Sequence, residues 1–341
     1  MKETPELTIC SVYHSDMARR ILEMNEIFVR RMNPGSSWIR FAANNSQNEN
    51  IHIQDNAIRE LPGGIIPGNA PPKGREGYHY GAALNALLPH IQTRFVLFLD
   101  YDFFIVRPNW IRDVILHMKQ NGLSLFGAPY HPKYWVKFRH FPVQYCLFVD
   151  REKIGDAFLT WNFTPQYSEA HLIQGDASEA AKKIYKAKNP TPTWFERIRD
   201  NIRKRKYIGT SQDMSYDLYR RYAQKSFFKY ETFGSTVTLN DFLVHYYVNE
   251  VWYKLLYLLE KMIPERWSFV PRNRGGYFTF TRFRDRNLPD VLGTGMEEWW
   301  WKNAPMAFHM RGFKERRAQA TGKAFNPEEN IQAIQEITEK F

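Results

Sequence analysis

The sequence is poor in cysteine and has no long apolar run, and both shortages limit what the protein can be. The two cysteines of the 341-residue chain, Cys10 and Cys146, each lie in an apolar stretch, which is typical of buried thiols in a reducing compartment. No Cys/His spacing of a structural zinc site occurs. No window reaches the roughly 20 apolar residues of a spanning helix, and the first residues lack the apolar core of a signal peptide. These features predict a soluble, cytoplasmic protein.

Acidic residues are fewer than basic ones, and the formal net charge of +11 favours polyanionic partners such as nucleotide diphosphates, anionic lipid or nucleic acid. Hydrophobic residues make up 43% and aromatic residues 16% of the chain, as in a globular protein with an ample core. The run "RIRDNIRKRK", residues 197–206, carries six basic residues against one acid. It is either a solvated helix face or a surface for anionic lipid, nucleic acid or an acidic acceptor, so peripheral membrane contact stays open.

The beginning of the chain alternates between strand and helix patterns. "ELTICSVY", residues 6–13, is typical of a buried strand, and Ser15 and Asp16 then offer caps for the helix "MARRILEMNEIFVRRM". Asn33-Pro34-Gly35 ends that helix, and "SWIRFAANN" predicts a second strand. A strand, helix and strand in this order predict an α/β fold with a mostly parallel central sheet flanked by helices.

The stretch "RFVLFLDYDFFIVRP", residues 94–108, places Asp100 and Asp102 inside an otherwise apolar run. Parallel α/β sheets bind ligands at the carboxyl ends of their strands, and Asp100 follows such a strand. Two neighbouring carboxylates repel each other and lose hydration when buried, and a divalent cation such as Mg²⁺ or Mn²⁺ removes both penalties. The alternative is that one aspartate caps a turn while the other pairs with Arg107 or a lysine.

The block "GYHYGAALNALLPHIQTRFVLFLDYD" resembles the GT-A glycosyltransferases, which transfer a sugar from a nucleotide-sugar donor. In that family a helix carrying Gly, a small residue and Asn, here Asn85, leads into an apolar strand that ends in Asp-x-Asp. The resemblance covers residues 6–155 well and 205–315 thinly. It implies a GT-A, Rossmann-like catalytic domain over residues 1–315, followed by a charged, helical or irregular extension at 316–341. Residues 6–155 would bind the nucleotide sugar and residues 156–315 the acceptor.

The resemblance also implies a site for Mn²⁺ or Mg²⁺. Asp102 is expected to bind the metal, and Asp100 to contact the ribose or the metal through water. The family often adds a histidine late in the catalytic domain, and "APMAFHMRGFKERR" supplies His309, with Lys314 able to meet phosphate. His245 in "FLVHYYVN" is the rival ligand.

The other expected donor contacts lie at strand ends and in the loop before the second helix. The resemblance places a base-reading Asp after the second strand, where this chain has Asn44 and Asn45, so UDP and GDP both stay open. Tyr13 either stacks on the base or packs in the core. The full set of expected donor-binding residues is Val12, Tyr13, His14, Asn44, Arg75, Asn85, Asp100, Tyr101 and Lys314.

Many inverting members of the family carry an acidic base, often as Glu-Asp, at the start of a later helix. Here "GTSQDMSYDLYRRY" has Gln212-Asp213, which makes Asp213 the expected general base toward a saccharide, lipid-linked or other hydroxyl acceptor. The structural alternative is that Asp213 stabilises a helix N-terminus by meeting its dipole.

Two other functions fit part of the sequence. A nucleotidyltransferase would use a similar aspartate pair. Enzymes of that class carry a Gly-rich phosphate loop directly after the first strand, whereas "SVYHSDMARR" at this place has no glycine. A non-catalytic nucleic-acid-binding protein fits the charge and the aromatic content. However, the chain shows no recognition motif and its basic residues are spread along the sequence, so nucleic acid is not favoured as a partner.

Overall fold

The structure, a computed structural model, describes a defined part of the chain. The described residues are 4–46, 48, 50–63, 76–131, 141–155, 161, 218, 228–236, 278–279, 297–310, 332, 335–336 and 338–340. Of residues 76–79 and 278–279 only the backbone is described. None of the helices in these segments is long and apolar enough to cross a membrane.

The first three elements follow the predicted order of strand, helix and strand. Strand β1 (Leu7–Tyr13) is buried at all seven residues, helix α1 spans Asp16–Met32, and strand β2 (Trp38–Asn44) pairs with β1 in parallel. The Ser15 side chain accepts a hydrogen bond from the Ala18 backbone N–H at 3.2 Å, which caps α1 as its position in the sequence predicted.

The remaining elements continue from residue 58 to residue 309. Strand β3 spans Ile58–Pro62, helix α2 Glu76–Leu87, strand β4 Phe95–Leu99, strand β5 Phe103–Ile105 and helix α3 Trp110–Asn121. They are followed by β6 (Leu125–Pro129), β7 (Pro142–Asp150), α4 (Arg151–Ile154), β8 (Tyr230–Thr232), β9 (Gly234–Thr236), β10 (Phe278–Thr279), β11 (Glu297–Trp301) and β12 (Ala304–His309). A 3-10 turn, Leu88–His90, closes α2.

The larger sheet has seven strands in the order β3-β2-β1-β4-β7-β6-β8. The pairs β3/β2, β2/β1, β1/β4 and β6/β8 are parallel, whereas β7 runs antiparallel to both β4 and β6. The predicted α/β fold with a mostly parallel central sheet is therefore confirmed. Both cysteines are free and buried in this core, Cys10 on β1 and Cys146 on β7.

A second sheet of five strands has the order β10-β9-β11-β12-β5. The sequence did not predict it, because its strands come from four distant parts of the chain. Strand β5 lies only four residues after β4, yet it pairs with β12 antiparallel rather than joining the larger sheet. The chain therefore crosses from one sheet to the other at residues 100–102.

Candidate metal and donor site

The two aspartates lie on the turn that connects the two sheets. Strand β4 ends at Leu99, and the Phe103 N–H bonds to the Asp100 carbonyl at 3.1 Å, which closes the turn. Because the chain turns here, the two carboxylates do not follow the alternation of an extended strand. They lie at the carboxyl end of β4, beside the carboxyl end of β1, where parallel sheets bind ligands.

A buried polar network holds the chain on both sides of this turn. The Ser11 hydroxyl donates to the Leu99 carbonyl at 2.8 Å, and the Asn25 amide donates to the Phe103 carbonyl at 2.7 Å. The fully buried Arg40 guanidinium donates to Asn25 Oδ1 at 2.9 Å and to Ser11 Oγ at 3.0 Å. These contacts fix the backbone before Asp100 and after Asp102, so the carboxylates start from a preorganised turn.

His309 reaches the turn through strand pairing. It is the last residue of β12 and lies opposite Phe103 of β5, while the Met310 N–H donates to the Asp102 carbonyl at 2.9 Å. Its Nε2 lies 3.0 Å from Asp102 Oδ1 and 4.0 Å from Asp100 Oδ2. Three side chains that the sequence singled out for metal binding are thus brought together.

The spacing of these three side chains suits a divalent cation. One ligand atom from each of Asp100, Asp102 and His309 lies within 4.8 Å of the other two. An octahedral cation with bonds of about 2.1 Å places neighbouring ligand atoms about 3.0 Å apart and opposite ones about 4.2 Å apart. The distances of 3.0 and 4.0 Å from His309 Nε2 lie in this range. Carboxylate oxygens with one imidazole suit Mn²⁺ or Mg²⁺ chemically.

Aromatic rings hold the His309 imidazole in place. The centroid of its ring lies 5.0 Å from that of Tyr145, 5.4 Å from Phe103 and 6.2 Å from Trp299. The Tyr145 hydroxyl is itself anchored by a hydrogen bond to the Pro129 carbonyl. The packing leaves His309 only 3% exposed, so its ring orientation is set before any ligand arrives.

Tyr80 on helix α2 is a site residue that sequence reasoning missed. Its hydroxyl donates a hydrogen bond to Asp100 Oδ1. Burial and the adjacent Asp100 carboxylate raise the pKa of Tyr80 well above its ordinary value, so it stays a donor at physiological pH. Tyr80 belongs to the block "GYHYGAALN" that carried the family resemblance, but a lone tyrosine in a helix gives no signal of its partner.

The predicted donor residues at the ends of β1 and β2 are mostly engaged with the protein itself. Val12 and Tyr13 are buried, and the Tyr13 hydroxyl donates to Glu60 Oε2 at 2.7 Å. The Asn44 amide donates to the Ile51 carbonyl at 2.8 Å. The Tyr13 ring is fully buried, which is the packing expected of a core aromatic. Its role toward a nucleotide stays a prediction.

Glu60 on β3 organises this region. Its carboxylate accepts hydrogen bonds from Tyr13, from the Ile53 N–H at 2.6 Å and from the Asn44 amide at 3.3 Å, and it lies 2.8 Å from His52 Nδ1. Burial alone would raise the pKa of Glu60, but these contacts outweigh it and hold the pKa below its ordinary value. Neither Tyr13 nor Asn44 offers its side chain freely to a nucleotide.

Two other predicted donor residues, His14 and Asn85, have different surroundings. His14 is exposed directly after β1, and its ring meets that of Tyr101 edge to face, with centroids 5.8 Å apart. Asn85 on α2 has both amide atoms on the Trp161 backbone: its Nδ2 donates to the carbonyl at 2.9 Å and its Oδ1 accepts from the N–H at 2.7 Å. In this structure Asn85 acts as a structural clamp, because its amide faces Trp161.

Several predicted site residues lie outside the described residues. They are the expected base Asp213, the expected donor-binding residues Arg75 and Lys314, and the rival metal ligand His245. Their roles stay predictions, as do the domain bounds that the sequence analysis set at residues 155 and 315.

No family model matches the sequence, and no curated protein matches it. Solved structures do match. S. aureus TarS 1-349 has a TM-score of 0.34 at 11% identity, over 49% of this chain and 53% of that chain. The same protein in complex with UDP-GlcNAc has a TM-score of 0.31 at 12% identity, over 46% of this chain and 48% of that chain.

The galactosyltransferase LgtC, in complex with donor and acceptor sugar analogues, matches with a TM-score of 0.28 at 14% identity. That match covers 42% of this chain and 57% of that chain, so the similarity extends over about half the length of the matched proteins.

Proposed function

We propose that the protein is a metal-dependent glycosyltransferase that moves a sugar from a nucleotide-diphosphate sugar to an acceptor hydroxyl. The observation that carries this proposal is the meeting of Asp100, Asp102 and His309 at the carboxyl edge of β4. Two of these residues follow a central strand, and the third arrives on β12 from about two hundred residues later. A buried network holds the backbone on both sides of the aspartate turn, and aromatic rings hold the His309 imidazole.

The donor diphosphate would lie against this cluster. Asp102 and His309 would hold the cation most directly, because their ligand atoms are closest, and Asp100 would complete the set with Tyr80 orienting its carboxylate. A bound Mn²⁺ or Mg²⁺ would neutralise the diphosphate and stabilise the negative charge that develops on the leaving nucleotide.

The nucleoside would lie beside the same turn, against His14 and Tyr101. His14 is exposed and directly follows β1, and its ring contacts that of Tyr101, which lies between the two aspartates in the sequence. Tyr13 and Asn44 would support this region from beneath through Glu60 rather than touch the base.

Asp213 would accept the proton of the acceptor hydroxyl as it attacks the anomeric carbon, and the sugar would then be transferred with inversion. The acceptor would be a saccharide, a lipid-linked sugar or another hydroxyl compound. The cytoplasmic location and the peripheral membrane contact that the sequence leaves open stay predictions.

The experiment that tests this proposal is ligand binding with and without metal. UDP, GDP and UDP-GlcNAc are titrated into the protein with Mn²⁺, with Mg²⁺ or with EDTA, and binding is followed by calorimetry and by the melting temperature. We expect one diphosphate to bind and to stabilise the protein only when the metal is present. Stabilisation by DNA or RNA alone, with no response to any diphosphate, would reject the transferase.

The role of Asp213 is tested separately, once a nucleotide sugar that is hydrolysed or transferred has been found. Asp213→Asn should lower turnover by about 10²-fold or more without changing donor binding. Asp217→Asn removes a carboxylate four residues later in the same segment and serves as the control. The anomeric configuration of the product, read by NMR, decides between inversion and retention.

A further inference from the structure

Glu297 is a buried carboxylate behind the metal cluster, and neither the sequence resemblance nor the proposed reaction assigns it a role. It is the first residue of β11 and pairs with His309 across the β11–β12 hairpin. Its exposure is 0%, and its Oε2 lies 3.5 Å from Nδ1 of His309. Burying a carboxylate costs free energy, so the position of Glu297 beside His309, a candidate metal ligand, needs an explanation.

The His309 imidazole lies between two carboxylates that approach opposite edges of its ring. Asp102 Oδ1 lies 3.0 Å from Nε2, and Glu297 Oε2 lies 3.5 Å from Nδ1. A neutral imidazole has one N–H donor and one lone pair, and the partner of one nitrogen decides which nitrogen is free to bind a metal. Both carboxylates accept hydrogen bonds only, and the shorter contact is the hydrogen bond between Nε2 and Asp102. A cation bound by Asp102 and Nε2 would occupy the Nε2 lone pair and leave the proton on Nδ1, where Glu297 accepts it.

We propose that Glu297 is a positioning residue of the metal centre: it holds the His309 Nδ1–H and so presents the Nε2 lone pair to the cation. The inference rests on the proposed function, since it requires that the cluster binds a metal. A carboxylate behind a metal-binding histidine fixes the orientation of the ring and raises the basicity of the nitrogen that binds. The rings of Tyr145, Phe103 and Trp299 restrict the remaining freedom of the imidazole.

The neighbouring residue Glu298 provides a matched control. It is also 0% exposed, but it pairs with Phe308 instead of His309, and successive residues of a strand face opposite sides. Glu297→Gln and Glu298→Gln therefore remove the same charge from equally buried positions on the two faces of β11. Only the first change removes the carboxylate beside His309.

The test measures Mn²⁺ affinity with UDP present, by calorimetry and by titration of the Mn²⁺ EPR signal. Glu297→Gln is expected to weaken Mn²⁺ binding by about 10-fold, and Glu298→Gln by less than about twofold. In a His309→Ala background Glu297→Gln should have no further effect, because the residue acts through the imidazole. A purely structural role would lower affinity in both backgrounds.

A measurement on the unsubstituted protein covers the case in which Glu297→Gln does not fold. Histidine labelled with ¹⁵N, observed by NMR with Mg²⁺ and UDP, should show His309 protonated at Nδ1, with its signal identified by its loss in His309→Ala. Protonation at Nε2 would overturn the inference.

The possible failures are distinguishable. If the protein binds no Mn²⁺ with any diphosphate, both the metal centre and the role of Glu297 are rejected. If His309→Ala weakens Mn²⁺ binding while Glu297→Gln behaves like Glu298→Gln, only the role of Glu297 is rejected.

Discussion

Two polar clusters lie at the carboxyl edge of the parallel strands, and the carboxylates in the two clusters have different surroundings. The Glu60 cluster, formed by Tyr13, Asn44, His52 and Glu60, surrounds one carboxylate with hydrogen-bond donors. The metal cluster, formed by Asp100, Asp102 and His309, brings two carboxylates together around one imidazole.

The difference separates a structural carboxylate from one that is suited to a cation. In the Glu60 cluster the donors lower the carboxylate's pKa and connect the ends of β1, β2 and β3, so charge and hydrogen bonding are balanced within the protein. In the metal cluster the two aspartates lie on the Nε2 side of one histidine, and a divalent cation would offset the repulsion between their charges. We therefore expect changes in the first cluster to affect stability and changes in the second to affect metal binding.

The largest effect is expected at Asp102. Asp102→Asn keeps the shape of the side chain but removes the charge nearest His309, so Mn²⁺ affinity with UDP present should fall by more than about 100-fold. Without metal, the free energy of unfolding should change by less than about 1 kcal/mol, because the change also relieves repulsion from Asp100. Calorimetry with Mn²⁺ and urea unfolding measure the two quantities.

Asp113→Asn makes the same chemical change on helix α3 and serves as the control for Asp102. It should leave Mn²⁺ affinity unchanged. Equal losses in the two variants would mean that the metal does not bind at the aspartate turn.

The second effect is expected at Glu60. Glu60→Gln should lower the free energy of unfolding by about 2 kcal/mol near neutral pH, since several hydrogen bonds to a charged acceptor are lost. The pKa of Glu60 is lowered in the folded protein, so its stabilisation is complete above the ordinary value of 4.5 and is lost as the pH falls below it. Urea unfolding of both proteins from pH 7 to pH 3 should show the difference shrinking with acid.

Metal binding is the second readout for Glu60→Gln. Because the Glu60 cluster is structural, Mn²⁺ affinity should change by less than about twofold once the variant is folded. A stability difference that grows toward acid would contradict the lowered pKa.

The smallest effects are expected at two tyrosines that each donate a hydrogen bond to a carboxylate, Tyr80 to the metal cluster and Tyr13 to Glu60. Tyr80→Phe removes the donor to Asp100 and should weaken Mn²⁺ binding by up to about 10-fold at unchanged stability. Tyr13→Phe removes the donor to Glu60 and should cost about 1 kcal/mol of unfolding free energy at unchanged Mn²⁺ affinity. Mn²⁺ affinity and the free energy of unfolding are measured for both variants. If both variants lose mainly Mn²⁺ affinity, or both lose mainly stability, the distinction between the two clusters is wrong.

Much of the first half of the fold was predictable because its signals are local. Apolar periodicity and capping residues identified β1, α1 and β2, and the apolar run before Asp100 identified β4. The second sheet gave no such signal. Strand β11 has the sequence EEWWW, which shows neither polar–apolar alternation nor a continuous apolar run, although all five residues are buried.

The β11–β12 hairpin, which ends at His309, could not be predicted from the sequence either. Its turn residues, Lys302 and Asn303, both have positive φ angles of 51° and 56°, a conformation usually marked by Asn-Gly or Asp-Gly. Here the turn reads Lys-Asn, and a β11 strand with three consecutive tryptophans precedes it. Without a recognised hairpin, the pairing of Glu297 with His309 is not predictable.

The sequence by itself determined the α/β class, the position of Asp100 and Asp102 at the end of a buried strand, and His309 as a candidate ligand. Only the tertiary structure decided that the aspartates occupy a turn between two sheets and that Glu60 contacts Tyr13 and Asn44. It also decided that Tyr80 contacts Asp100 and that Glu297 contacts His309. The physical reason is the range of the interactions. Helix and strand patterns repeat within a few residues, whereas Asp102 and His309 meet across 207 positions through the pairing of β5 with β12.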